Sequence, residues 1–256
     1  MSTVSGLRFG RLALRVEGPA LHPLLDAYRA PVAADARRVL LSVVASLPPE
    51  ALAATSSVGF ALTATADHDA ITLGGDAARP TPWLAAFCEL VARDAATHGC
   101  LLVHAGAVTV SGGVALLVAP PGVGKTTAVR HAVDRAFASN AVLLDLSGGT
   151  ATVRAMPFTR EPMPALESAA TLPLSVFAFV ERASESTVEW IAPSLATMRL
   201  MPHVTRPRGA DPHARTRTDL ALMLGGKARA LRLGLPSGPG YLAALDAALH
   251  TTTNPV

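Results

Sequence analysis

The stretch GGVALLVAPPGVGKTTAVRH, residues 112–131, decides how the chain is read. Val114 to Val118 is an unbroken apolar run of strand length, and the residues from Thr126 onward have helix-forming composition. Between them, Ala119 to Thr126 follows the pattern G-x-x-x-x-G-K-[ST], with Ala119 in the place of the first glycine. Gly122 and Gly124 admit positive φ angles or close approach, so the backbone N–H groups are free to turn inward as an anion nest. The unpaired N–H groups and positive dipole end of the following helix face the same point. Strand, glycine loop and helix in that order form the context in which this pattern binds phosphate.

Phosphate chemistry then assigns roles. Pro121, Gly122, Val123, Gly124, Lys125, Thr126 and Thr127 are expected to contact the nucleotide. Lys125 would reach the β- and γ-phosphates, Thr127 would hold a further phosphate oxygen, and the Thr126 hydroxyl would ligate Mg2+, a hard cation often held by few protein groups plus phosphate. The expected cofactors are ATP or GTP with Mg2+.

Downstream, Ala141 to Leu146 reads as a buried strand ending at Asp145. An acid there would lie beside the nucleotide, at the edge where sheets of this class bind ligands, as a Mg2+ ligand or a base. The other reading is a turn cap for Ser147-Gly148-Gly149. Upstream, LLVHAGAV (101–108) is a β-rich run joined to the loop strand through the hairpin signal Ser111-Gly112-Gly113. It carries His104, either a hydrogen-bonded core group or a functional one.

Farther out, LRFGRLALRVEG near the N-terminus has period-two character, Pro31 to Leu47 carries helical spacing, and VGFALTATADHDAITLGG reads as two strands about a turn at residues 67–69. After Pro80 to Pro82, the residues Trp83, Phe87, Leu90 and Val91 recur at helical spacing. Strands are expected at 150–158, 175–182 and 228–235, and helices at 194–201 and 240–250. The segment 199–217, with Arg199, Arg206, Arg208, Arg215 and Arg217 against the single acid Asp211, reads as a solvated loop or a clamp for an acidic acceptor.

A chain of 256 residues that is 50% hydrophobic and 16% charged is expected to fold. Its net charge of +3 is dispersed among acids, which argues against a nucleic-acid partner. Each apolar half of 101–121 is too short to span a bilayer, so no membrane association is expected. The N-terminus lacks a secretory pattern. Two cysteines, Cys88 and Cys100, fit neither a disulfide framework nor a zinc site, and a reducing cytoplasm is the expected location.

The order LLVHAGAV, GGVALLVAPPGVGKTT, VLLDLS resembles the HPr kinase/phosphorylase superfamily, especially the shorter HPr-kinase-like proteins of bacterial peptide-modification gene clusters. Looser similarity through MPFTREPMPALE, LSVFAFVER and ARALRLGLPSGPGYLAAL extends it over roughly residues 85–250. The resemblance implies an α/β fold with a P-loop core of the HPr-kinase/PEP-carboxykinase-like type over 85–256, and the strands and helix that precede it read as a small N-terminal α/β domain over 1–84. It also implies a homo-oligomer, and catalytic roles for His104, Lys125 and Asp145, the last activating an acceptor hydroxyl. The family carries paired aspartates where this chain has Asp145-Leu146, and the stretch that recognises HPr is not evident. The leading expectation is an ATP-dependent kinase acting on a serine or similar hydroxyl of a peptide or small molecule. The alternative is a nucleotide-binding regulatory or assembly subunit weakened in transfer. A hydrolase coupled to movement is a third reading, less favoured because no arginine finger is recognisable.

Overall fold

Alternation of buried and exposed residues builds the first sheet. In the computed structural model, β1 (Thr3–Phe9), β2 (Leu12–Gly18), β3 (Arg37–Val44), β4 (Phe60–Ala64) and β5 (His68–Gly74) pair in the order β1-β2-β3-β5-β4. The described residues are 3–9, 11–44, 46–47, 60–64, 68–75, 78–156, 170–208, 211–236 and 238–251. Leu7, Phe9, Leu14, Val16, Val39, Leu41, Ile71 and Leu73 are buried, and helix α1 (Pro80–Asp94) adds Trp83, Phe87 and Leu90. Phe9 stacks on Tyr28 with ring centroids 5.1 Å apart and meets Phe87 at 6.3 Å.

The helix expected over Pro31 to Leu47 is instead strand β3. Val39 and Leu41 face inward while Arg38 and Ser42 face solvent, and β3 lies parallel between β2 and β5. Two-residue periodicity overrode the helical spacing there. Asp69, expected at a turn, is fully buried in β5. Two arginines offset the cost of burying that charge. The Arg37 guanidinium donates to both carboxylate oxygens at 3.1 and 3.2 Å, and Arg93 of α1 lies 2.6 Å from Oδ2.

The described chain divides into two compact units, residues 1–98 with 206–212, and residues 99–205 with 213–256. The division falls after His98 rather than after residue 84, because α1 packs on β4 and β5 and stays whole in the first unit.

The second unit is built on β12 (Thr171–Arg182). Its first residues pair antiparallel with β11 (Thr152–Ala155), its middle pairs parallel with β8 (Gly113–Val118), and its C-terminal half pairs parallel with β14 (Ala230–Leu235). The open sheet runs β6-β10-β11-β12-β8-β7-β9, with β6 Cys100–Val103, β7 Gly106–Val110, β9 Ala136–Ala138 and β10 Val142–Asp145. β13 (Val188–Trp190) joins through β14. The hairpin between β7 and β8 turns at Gly112 (φ 82°), as its glycines foretold.

Both faces of this sheet are covered. Val114, Leu116 and Val118 point into a cluster with Ala196 and Leu200 of α3 (Pro193–Leu200) and Ala221 and Leu224 of α4 (Ala214–Lys227). Ala115 and Leu117 join the opposite cluster, with Ala128 and Val129 of α2 (Lys125–His131) and Tyr241 and Leu245 of α5 (Tyr241–His250). At about 1.5–3 kcal/mol per buried large aliphatic side chain, these positions fix β8 between two layers. The protein is therefore a mixed α/β fold with open sheets.

Two further expectations change. The helix anticipated to run from 126 to 137 closes at His131, and Ala136–Ala138 turns back as β9 beside β7. The basic segment is not one loop: Arg199 lies in the last turn of α3, the Arg208 backbone N–H donates to the Glu89 carboxylate at 2.7 Å within the first unit, and Arg217 is buried on α4. The turn at 67–69 falls partly, and MPFTREPMPALE almost wholly, outside the described residues, as does the tail from residue 252. Among the described residues, no helix is long and apolar enough to cross a membrane.

The packing of α3 on α4 predicts opposite outcomes for two adjacent glycines. Alanine normally exceeds glycine by about 1 kcal/mol in a helix. A Cβ on Gly225 would stand 2.7 Å from the Thr197 Cα, a backbone atom, whereas one on Gly226 would meet nothing within 4 Å. Overpacking costs about 1–3 kcal/mol and should win at the first position. Gly225→Ala should lower the urea midpoint and Gly226→Ala should raise it slightly.

Candidate functional site

β8 delivers the glycine loop to the edge of the sheet. Val118 pairs with Phe179, so the residues that follow lie beside the C-terminal end of β12. Gly122 (φ 83°) and Gly124 (φ 113°) both take the left-handed conformation, where a side chain would be strained. Gly124 caps α2 and its carbonyl accepts the Ala128 N–H at 2.8 Å. At seven residues, α2 is short, so the curled backbone and Lys125 contribute more to the loop's character than a long helix dipole would.

Lys125 is 6% exposed, a rare position for an ammonium group. It donates to the carbonyls of Ala119 and Pro120 at 2.5 and 3.2 Å, folding back over the loop. Burial holds its pKa below the usual lysine value. Thr126 is half-buried and Thr127 exposed, at the start of α2.

His104 follows β6 on the same side as Lys125. Its backbone N–H donates to the His203 carbonyl at 2.8 Å, next to a bridge between Val103 and Val204. Burial is the main cause that lowers the His104 pKa, with the Lys125 charge adding to it and a hydrogen bond to the Asn140 backbone opposing it. His203 is shifted in the same direction by burial, then by Lys125 and His104. The structure thus gathers Lys125, His104 and His203 beside the loop. The sequence offered His203 only as one member of a basic segment, and the 2.8 Å backbone link that recruits it spans 99 positions (203 − 104).

Asp145 is not brought to this group. On β10 it pairs with Cys100, at the start of β6, whereas His104 lies past the other end of that strand. Four residues at about 3.3 Å each separate the two ends by roughly 13 Å. Asp145 also pairs with Thr152, which pairs with Pro173, and Pro173 abuts Gly113 at the end of β8 remote from the loop. Asp145 therefore stands apart from Lys125, His104 and His203. The chain turns back as β9 after α2, and the residue there that meets His104 is Asn140, which precedes β10 and carries no carboxylate. Asp145 instead accepts hydrogen bonds from the Ser147 N–H at 3.0 Å and from the Ser147 hydroxyl, the turn-capping role that short acids favour.

A residue not singled out in the sequence completes the loop. Arg182, the last residue of β12, donates through Nη2 to the Gly122 carbonyl at 2.7 Å. On that side lies a cleft of about 350 Å³ lined by Val123, Gly124, Thr127, His131, Arg182 and Leu235 among others. Behind α2, Tyr241 donates from its hydroxyl to the Ala128 carbonyl at 2.9 Å, and Arg135 forms a two-point ion pair with Asp246 at 2.7 and 2.8 Å. Among the described residues, no group of three or more His, Cys, Asp or Glu side chains is disposed to hold a metal ion.

In comparisons with known proteins, no protein-family model and no curated protein matches this chain.

The two histidines predict an acid-sensitive unit. Their folded pKa values lie below the unfolded value of about 6.5, so the unfolded chain binds protons first as the pH falls. Their contribution to stability is complete above that value and declines as the pH drops below it. Urea midpoints measured from pH 7.5 to 5.5 should fall, and the fall should be shallower in a His104→Gln/His203→Gln variant.

Proposed function

We propose that residues 119–127 form a phosphate-binding loop within a P-loop core, and that the protein binds the triphosphate of ATP or GTP with Mg2+. One observation carries this reading: a buried lysine, hydrogen-bonded to the carbonyls of Ala119 and Pro120, sits directly after two left-handed glycines in a Walker-type pattern. A cation held out of water in that way favours exchange of neutral acceptors for phosphate oxygens. Lys125 would take the β- and γ-phosphates, the backbone of 121–124 and Thr127 the remaining oxygens, and Thr126 the metal. The donor set fits Mg2+ held mainly by phosphate and water, with one hydroxyl from the chain, since Mg2+ keeps several waters in sites of this kind. Bound Mg2+ would neutralise charge on the β- and γ-phosphates.

Between the outputs open to such a site, the position of Asp145 favours a nucleotide-binding regulatory or assembly subunit, because Asp145 pairs with Cys100 at the far end of β6 from His104, where Asn140 meets the imidazole instead. A second reading rests on His104 itself. An imidazole kept neutral by burial beside Lys125 is suited to accept the proton of an attacking hydroxyl, as a kinase acting on a peptide or small molecule would require. This reading agrees with the resemblance to HPr-kinase-like proteins.

Two measurements test the proposal. Titration calorimetry with Mg-ATP and Mg-GTP should show binding that Lys125→Ala weakens at least tenfold, since a hydrogen bond to a charged group is worth about 1.5–3 kcal/mol. Unchanged affinity in that variant would remove the loop from the reading. Mass spectrometry of labelled-ATP reactions with peptides encoded beside this chain should show no transfer if binding is the output. If transfer occurs, His104→Gln should abolish it and Asp145→Asn should leave it intact.

A further inference from the structure

The loop has two unlike sides. On one, Lys125 stands with His104 and His203, three basic groups suited to the terminal phosphates. On the other lies the cleft of about 350 Å³, whose lining includes none of those three residues. Its walls are apolar or small at Val123, Ala183, Leu235 and Pro236, and its polar groups are Thr127, His131 and Arg182. The volume falls at the lower end of the range for small-molecule sites, and the mix of apolar wall with few polar groups is what such sites share.

We infer that this cleft seats the nucleoside end of the ligand, its purine and sugar, and that Arg182 and His131 flank the phosphate nearest the sugar. The inference rests on the phosphate-loop reading above. A loop whose lysine grips the β- and γ-phosphates leaves the rest of the nucleotide to exit away from that lysine, and the cleft begins at Gly124 and Thr127, where that exit lies. The apolar side chains of Leu235 and Pro236 suit contact with the face of a purine. Arg182 is fixed by the same architecture: β12 runs parallel to β8, so its last residue stands at the level of the loop, with its guanidinium bound to the Gly122 carbonyl.

The test compares ligands with and without a nucleoside. Mg-ATP, Mg-GTP and inorganic tripolyphosphate are titrated into the wild-type chain and into Ala183→Trp, which places an indole in the cleft. The expected result is an affinity loss of at least tenfold for ATP and GTP, with tripolyphosphate changed less than about twofold. Pro236→Trp, at a half-buried position on the same cleft, provides an independent plug should Ala183→Trp fail to fold, as judged by circular dichroism. Equal losses for all three ligands, or no loss for any, would overturn the assignment of the cleft while leaving the loop in place. A wild-type chain that binds none of the three would overturn the phosphate-loop reading and the cleft assignment with it.

Discussion

The parallel pairing of β8 with β12 is the constraint on which the second unit rests. Strand β8 is buried along nearly its whole length, and alternate side chains enter two different cores. A strand in that position has no freedom to slip, because a one-residue shift would exchange the two sets of side chains. Its C-terminal end is therefore fixed against Phe179, and the glycine loop must begin where Glu181 and Arg182 end the neighbouring strand. The loop gains its partners through this register, and the cleft beside it is a product of the same geometry.

Charge is buried in two contrasting ways. In the first unit Asp69 is enclosed completely and met by two guanidinium groups, a closed arrangement in which every strong electrostatic demand is answered by a neighbour of opposite sign. In the second, Lys125 is nearly as enclosed, yet its hydrogen bonds go to neutral carbonyls, and the nearby groups that act on it or are acted on by it are themselves basic. The first arrangement holds a helix to a sheet. The second leaves positive potential without a local counter-charge among those contacts, as an anion-receiving site requires.

Much of this was legible in the sequence because it is local. The glycine loop, its flanking strand, the hairpin at Gly112 and the amphipathic helix containing Trp83 and Phe87 all depend on residues within one short window. What the sequence concealed depends on pairing across distance. The stretch 37–44 has apolar residues that satisfy both helical and strand templates, and only its place between β2 and β5 decides for strand. Asp145 looked like the acid at the end of the strand after the loop. The three-residue strand β9, too short to register in a sequence pattern, carries the chain back so that Asn140 takes the position near His104. His203 and Arg182 reach the loop through contacts spanning 99 and 60 residues, and no local periodicity encodes such contacts.

The ties behind α2 have a consequence for the order of assembly. Tyr241 reaches Ala128 across 113 positions, and Arg135 reaches Asp246 across 111. Closing such long loops is entropically slow, and a chain emerging from the ribosome at about 5–20 residues per second makes it wait longer still. The outer cover of the seven-residue helix that follows the glycine loop is synthesised more than a hundred residues after the helix itself. The glycine loop can therefore gain this outer support only after residues 241–246 have left the ribosome, so a nascent chain exposes the pattern long before its surroundings are in place.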